Sequence, residues 1–334
     1  MISASLKSSL SLIPDFTDRE KVFRILRRRI AEEGFFNVLK TDDFSLFHEK
    51  LRDFSLQRFS PGLPVAVMAQ VNVAGKILRT VSDSGSQEAE RILNDIILGN
   101  ISASMGISEK GWKGRTSNLK TVIRFSENFG IIDGEKSFFT NGANSELLII
   151  LCFDSDRNCF AAAVEKETEG LKTENFSLDF AAEATHCSAV FTELKVPKER
   201  IFSLDYRKIG ENLRLSELVS LGAVFAGFSE KLISSADIPI DPERLEIFLF
   251  ARQKLWDKII YISELKKENP DLPMKDYFPF EMEDALNAFY SVFADRKKED
   301  IISRFPDLKI FHIQDTLNTV LYRRAGKKER RERT

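Results

Sequence analysis

The segment DGEKSFFTNGANSELLIIL, residues Asp133 to Leu151, joins a strand-like stretch to a long apolar run through a polar FTNG turn. Asn141-Gly142 is a strong turn signal on its own and would suit an ordinary hairpin. Folding alone does not require a threonine and an asparagine between two buried segments. The segment therefore permits two interpretations, a plain hairpin or a backbone edge that meets a ligand, and the rest of the chain bears on the choice.

Helical patterns precede this segment. TDREKVFRILRRRIAEEG ends at Gly34, a residue typical of helix C-termini, and has one apolar stripe made of Val22, Ile25, Leu26 and Ile30. FSLFHEKLRDF and QEAERILNDIILG repeat the amphipathic pattern, whereas GLPVAVMAQVNVAGKIL is apolar nearly all round, which indicates a buried central helix. Residues 1–100 are therefore predicted to form an N-terminal helical domain.

The pattern changes twice after residue 100. Residues 101–205 contain short runs rich in β-branched and aromatic residues, such as KTVIRFS, ELLIILCFD and HCSAVFTELKVP, and predict a middle antiparallel β-domain. Residues 206–334 return to helical periodicity interrupted by prolines and predict a C-terminal helical bundle that ends in a charged, solvated tail, GKKERRERT. The fold class predicted for the chain is α+β.

Composition excludes several classes of protein. With 334 residues, 30% charged and 43% apolar, and a net charge of −2, the chain has the composition of a soluble globular protein without a bulk preference for nucleic acid. The sequence offers no run of about 18 apolar residues for membrane insertion and no signal peptide at its start. Its three cysteines and three histidines lack the spacing of a metal site or a disulfide framework. We therefore expect a cytoplasmic protein.

Three segments carry a family resemblance. ILNDIILGNISASMGISEKGWKGRTSNLKT, Ile92 to Thr121, has Ser108-Glu109 where the acyl-CoA dehydrogenase family has Thr-Glu, and the FTNG segment reproduces that family's G.K.w.TNg pattern. The match continues to about Phe202, through FAAAVEKETEGL and VFTELKVP. Near the C-terminus, DLKIFHIQDT resembles the family segment that carries the catalytic carboxylate. The chain resembles the acyl-CoA dehydrogenase family.

The resemblance implies a function. Members of this family are FAD flavoproteins that remove the α proton of an acyl thioester and transfer a hydride from the β carbon to the flavin. It implies an oxidoreductase of fatty acid metabolism that acts on acyl-CoA or another acyl thioester, with an electron acceptor that the sequence does not identify. It also implies a homodimer or homotetramer assembled through the C-terminal bundle.

Four residues are the candidate site residues by this resemblance. Ser108 and Thr140 would supply hydroxyl groups to the polar edge of the flavin, Phe138 would pack an aromatic face against its ring, and Asp315 would be the base, aligned with the family's glutamate after deletion of one glycine. Other interpretations stay open: the hydroxyl groups could satisfy turn backbone, Phe138 could be core, and Asp315 could be a helix N-cap. Glu217, Glu246 and Glu264 are predicted to be surface charges of helices.

Some segments depart from the family pattern. Trp112-Lys113-Gly114-Arg115 replaces the small residues that face cofactor phosphate, and Ala294-Asp295-Arg296 replaces glycines that approach the adenosine part of FAD. These departures leave two alternatives to the dehydrogenase. One is a non-catalytic scaffold or binding protein of the same fold that has lost flavin chemistry. The other is a flavin-dependent monooxygenase, which would need reduced flavin and oxygen but no carboxylate base.

Overall fold

The computed structural model describes residues 19–57, 60–112, 116–235, 237–268, 280–293 and 296–312. Helices precede and follow a sheet of eight strands in these residues. The change from helix to strand falls between Ile97 and Ala103, and the change back falls between Ser203 and Tyr206. The α+β fold class predicted from the sequence is confirmed.

The first helices are amphipathic or buried as their sequences predict. They are α1 (Val22–Glu32), α2 (Val38–Thr41), α3 (Phe44–Gln57), α4 (Gly62–Ala69), α5 (Lys76–Asp83) and α6 (Gln87–Ile97). Helix α1 buries Leu26 and Ile30, but Ile25, which the stripe included, is 65% exposed. Between α4 and α5 the helix continues as a π-helical segment, Gln70–Gly75, which is mostly buried. Such π-helical segments occur frequently at functional sites.

The middle of the chain forms one mixed sheet. Its strands are β1 (Ala103–Gly106), β2 (Val122–Phe125), β3 (Phe129–Thr140), β4 (Leu147–Phe153), β5 (Cys159–Glu165), β6 (Leu171–Phe176), β7 (His186–Pro197) and β8 (Ile201–Ser203). The strand order is β6-β7-β3-β1-β4-β5-β8, and β2 pairs with β3 and β4.

The prediction of an antiparallel sheet is wrong for two of these pairings, because β1 and β2 each run parallel to β4. The reason lies in the FTNG turn. The turn reverses the chain between β3 and β4, but next to the turn β1 lies between these strands, with Gly106 paired to Phe139 of β3 and Ala103–Gly106 paired to β4. Because β1 is antiparallel to β3, it must be parallel to β4. The FTNG turn is therefore not a two-strand hairpin but a connection across an intervening strand.

Strand β4, in the middle of the sheet, is buried on both faces. Every residue of β4 is buried, and its alternate side chains enter two different cores. Leu148 and Ile150 join a core within the β-rich region, whereas Leu147 and Ile149 join the larger core shared with the helices. A near-continuous apolar run is the pattern expected of such a strand.

The last helices pack into a bundle with the first ones. They are α7 (Tyr206–Ser235), α8 (Pro242–Glu268), α9 (Phe280–Ser291) and α10 (Lys298–Arg304), followed by a 3₁₀-helix (Pro306–His312). Helix α7 is central and contacts α3, α4 and α8. By length and composition its residues Ile209–Ser235 could cross a membrane, but 72% of their most apolar window is buried inside the protein, as in the core helix of a bundle.

Candidate functional site

Strand β3 presents two of the candidate residues on one face. Phe139, between them in sequence, is fully buried in the core of the sheet together with Cys187. Gly106 makes room for this ring, because a Cβ at that glycine would lie 2.2 Å from a Phe139 ring atom. Since successive side chains of a strand point to opposite faces, Phe138 and Thr140 share the other face.

A backbone hydrogen bond holds Ser108 beside β3. The amide of Ser137 donates to the Ser108 carbonyl at 2.9 Å, which places Ser108 beside the strand position that precedes Phe138. The hydroxyl of Ser104 donates to the Thr140 carbonyl at 2.6 Å and so fastens the end of β3 to β1. The structure thus brings Ser108, Phe138 and Thr140 together along one part of the sheet.

A buried ion pair fixes the segment that follows Ser108. Glu109 accepts hydrogen bonds from Lys136 Nζ at 2.7 Å, from the Thr121 hydroxyl at 2.8 Å and from the Lys120 and Thr121 amides. Burial raises the pKa of Glu109, but the hydrogen bond and charge of Lys136 outweigh it and the net pKa is lowered. Glu109 is therefore ionised and holds three segments of the chain together.

A histidine that the sequence reasoning missed lies against Phe138. His186 begins β7, is paired directly with Thr140, and places its ring centroid 4.4 Å from that of Phe138. Phe176 of β6 completes the cluster, with its ring 5.4 Å from Phe138 and stacked on His186 at 5.7 Å. Burial lowers the pKa of His186 to about 4, so its imidazole is neutral at neutral pH.

Buried polar atoms without partners gather around the FTNG turn. Among the described residues, neither ring nitrogen of His186 has a hydrogen-bond partner, and the same holds for the Thr185 hydroxyl and Asn141 Nδ2. Leaving such groups unpaired costs about 1–3 kcal/mol each. Unpaired donors and acceptors beside the aromatic ring of Phe138 are the chemistry that a planar ring with a polar edge would need, and in this respect the described residues suit the ring half of FAD.

Asp315 lies outside the described residues, as do Lys113, Arg115 and Ala294-Asp295 of the segments that depart from the family pattern. The 3₁₀-helix before Asp315 is described and packs on the loop that leads to His186. In that contact the Asp307 carboxylate accepts a hydrogen bond from the Ala181 amide, and Arg19 lies 3.8 Å from the same carboxylate. The C-terminal part of the chain thus packs against the loop between β6 and β7.

A second polar cluster lies between the π-helical segment and α7. Asn72 Nδ2 donates to the Ser220 hydroxyl at 2.8 Å, and the ammonium of Lys76 donates to the Ser216 hydroxyl. Among the described residues, Gln70 Nε2 and Asn72 Oδ1 have no hydrogen-bond partner. Polar groups of this kind are rare inside a helical bundle, so the cluster is a further candidate for contact with a ligand.

Glu217 belongs to this cluster, which corrects the prediction that it is a surface charge. Glu246 and Glu264 are exposed as predicted, but Glu217 is half-buried. Burial raises its pKa to about 7, against the opposing charges of Arg214 and Lys76. One turn earlier on α7, Arg214 lies 5.8 Å from the Trp112 ring, so this face of α7 borders the segment that follows Ser108.

A cavity of about 410 Å³ lies next to the residues that follow the FTNG turn. Its lining includes Ala143 to Leu147, several carboxylates and four cationic side chains, Arg24, Arg91, Lys166 and Arg200. Ser108, Phe138 and Thr140 do not line it. The cavity is therefore distinct from the part of the sheet that carries these three residues.

Comparison with known proteins supports the fold. No protein-family model and no curated protein sequence matches the chain. Among solved structures, butyryl-CoA dehydrogenase from Megasphaera elsdenii is 15% identical with a TM-score of 0.67, and the match covers 95% of each chain. PigA with FAD and proline is 15% identical with a TM-score of 0.72, covering 97% of this chain and 93% of that one. An acyl-CoA dehydrogenase from Geobacillus kaustophilus is 15% identical with a TM-score of 0.65, covering 96% of each chain.

These matches span nearly the whole chain, including the helices before and after the sheet. The resemblance carried by Ser108-Glu109 and the FTNG segment predicts the same architecture. The chain therefore has the acyl-CoA dehydrogenase fold.

Proposed function

We propose that this protein is an FAD-dependent oxidoreductase that dehydrogenates an acyl thioester, such as an acyl-CoA, between its α and β carbons. The observation that carries the proposal is the grouping of Ser108, Phe138 and Thr140 beside buried polar atoms that lack partners, on a chain of acyl-CoA dehydrogenase fold. A ligand with a flat ring and a polar edge would satisfy those atoms.

Each residue at the sheet has a role in binding the cofactor. The hydroxyl groups of Thr140 and Ser108 would form hydrogen bonds with the polar edge of the flavin, and the Phe138 ring would pack against the ring system. Glu109 would act indirectly, because its ion pair with Lys136 holds the Ser108 segment in place. When bound, FAD supplies the acceptor for the hydride that leaves the β carbon.

Proton removal requires a base near the α carbon. Asp315 is the candidate from the sequence, and its side chain is one methylene shorter than the glutamate it would replace. If the carboxylate lies about 1 Å too far from the α carbon, the rate of proton removal can fall by about a hundredfold. Glu217 is the second candidate, because a pKa of about 7 suits a general base at neutral pH and its face of α7 borders the Ser108 segment.

The visible spectrum of the purified protein tests cofactor binding. We expect flavin absorption bands, either as purified or after addition of FAD, and bleaching of these bands under anaerobic conditions when a suitable acyl-CoA is added. A series of acyl-CoA esters of increasing chain length, assayed with an artificial electron acceptor, would identify the substrate class. A colourless protein that also fails to bind added FAD would contradict the proposal.

Two further outcomes distinguish the alternatives. A protein that binds FAD or acyl-CoA but reduces no acceptor with any ester would be a scaffold or binding protein of this fold. A protein that consumes oxygen only when supplied with reduced flavin would be a monooxygenase. We also propose a homodimer or homotetramer, which light scattering would test.

A further inference from the structure

We propose that His186 is a cofactor-binding residue whose imidazole forms a hydrogen bond with the polar edge of the flavin that lies against Phe138. This inference rests on the flavin binding proposed above. It adds a residue that neither the sequence pattern nor the resemblance indicates.

The sheet places His186 at the correct position for this contact. His186 is paired directly with Thr140, and directly paired residues of neighbouring strands have their side chains on the same face. Because the strand order is β7-β3-β1, His186 and Thr140 lie on neighbouring strands, and the Ser108 segment lies on the other side of β3, where Ser108 is opposite Ser137. His186 and Thr140 are one strand separation apart, roughly 5 Å, so both can contact the same edge of a planar ligand.

The hydrogen bonding of His186 is incomplete without a ligand. The residue is only 4% exposed, and among the described residues both of its ring nitrogens lack a partner. A neutral imidazole has one donor and one acceptor, and burial of both without partners opposes folding. The hydroxyl of the neighbouring Thr185 is also buried without a hydrogen-bond partner among the described residues.

Packing alone does not explain a histidine here. Phe138 and Phe176 surround the ring, and a phenylalanine would occupy the same space without unpaired nitrogens. The edge of a flavin ring offers both hydrogen-bond donors and acceptors, so it can pair with either nitrogen of a neutral imidazole. An ordered water would be the other means of pairing these nitrogens.

The test compares His186→Phe with wild type, using FAD titrations followed by fluorescence and thermal unfolding with and without FAD. We expect His186→Phe without FAD to unfold at the same or a higher temperature than wild type. Its dissociation constant for FAD should rise about tenfold, the loss that corresponds to one hydrogen bond, and its stabilisation by FAD should shrink accordingly. His186→Gln keeps a donor and an acceptor and should lose less affinity than His186→Phe.

Cys187→Ala is the matched control, because Cys187 is the next residue of β7 but is buried in the core on the opposite face. We expect it to leave FAD affinity unchanged. If wild type shows no binding of FAD, both the proposed function and this inference are overturned. If wild type binds FAD and His186→Phe binds it equally well, or if His186→Phe and His186→Gln lose the same affinity, only the inference about His186 is overturned.

Discussion

Lys136 Nζ lies 2.7 Å from Glu109 Oε1, and both side chains are buried, with 0% and 5% of their surface exposed. Removing one partner of such a pair leaves an uncompensated buried charge, which typically costs 3–5 kcal/mol. We therefore expect Lys136→Met to lower the free energy of unfolding by about 3–5 kcal/mol, measured by urea denaturation.

Arg124→Met is the control for this prediction. Arg124 forms an ion pair with Asp133 at 2.6 Å in the same sheet, but 62% of its side chain is exposed. An exposed pair contributes about 0–1 kcal/mol, so Arg124→Met should have little effect. If the free energy of unfolding fell equally in Lys136→Met and Arg124→Met, the buried pair of Lys136 would contribute no more to stability than the exposed pair of Arg124.

His48 makes stability depend on pH below neutrality. It is buried between the hydroxyl groups of Ser263 at 2.8 Å and Ser220 at 2.9 Å, and burial lowers its pKa from 6.5 to about 3. Between these values the unfolded chain binds a proton that the folded chain does not. Stability contributed by neutral His48 is therefore present above pH 6.5 and is lost as the pH falls, with a slope that approaches about 1.4 kcal/mol per pH unit.

We expect His48→Gln to flatten this dependence, because glutamine does not titrate. The measurement is the free energy of unfolding at several pH values from 7 to 4.5, above the range in which most carboxylates titrate. Curves of equal slope for variant and wild type would contradict this assignment.

At Gly134, the glycine of the DGEK sequence, both the backbone conformation and the neighbouring residues oppose any larger side chain. Its φ is +141°, and a Cβ at this position would lie 2.7 Å from Thr121 Cα. We expect Gly134→Ala to lower the free energy of unfolding by about 2–6 kcal/mol, since strain and overpacking contribute about 1–3 kcal/mol each.

Gly85→Ala separates these two causes. Gly85 also has a positive φ, +99°, but a Cβ there would meet nothing within 4 Å. In Gly85→Ala only the conformational strain remains, so we expect the free energy of unfolding to fall by about 1 kcal/mol in the same urea experiment. If Gly134→Ala were no worse than Gly85→Ala, the contact with Thr121 would be unimportant.

The features that local sequence determines could be predicted, and those that depend on distant residues could not. Amphipathic patterns gave the helices, and short motifs around Ser108 and Thr140 gave the acyl-CoA dehydrogenase fold, which is confirmed. The insertion of β1 between β3 and β4 depends on pairing between remote segments, so the FTNG turn resembled a hairpin. The contact of His186 with Phe138 likewise joins two separate strands, and no local pattern at His186 indicates it.

The environment of Glu217 on α7 also depends on residues distant in sequence and could not be predicted from the local pattern. Its spacing on α7 resembles that of an exposed residue, and only the packing of the π-helical segment against α7 brings it close to Lys76. The assignment of the base to Asp315 stays a prediction, as do the roles of Ser108, Phe138 and Thr140. The described structure adds Glu217 as a competitor of Asp315 for that role.

Substitution of Glu217 should affect stability and activity in opposite directions. Burial raises the pKa of this carboxyl from 4.5 to about 7, so the folded chain binds its proton more tightly than the unfolded chain does. The stability associated with the neutral carboxyl is therefore complete below pH 4.5 and is lost as the pH rises to about 7. Glu217→Gln keeps the neutral form, and we expect it to be more stable than wild type at pH 8 but not at pH 4.5.

If Glu217 is the base, Glu217→Gln should also lower the turnover of acyl-CoA by about 100-fold or more, whereas Asp315→Asn should retain most activity. The reverse result would assign the base to Asp315 and leave Glu217 with a role in packing only. FAD absorption bands must be retained in both variants, because loss of the cofactor would lower activity for another reason. A Glu217→Gln variant with unchanged stability at both pH values would contradict the raised pKa on which its candidacy depends.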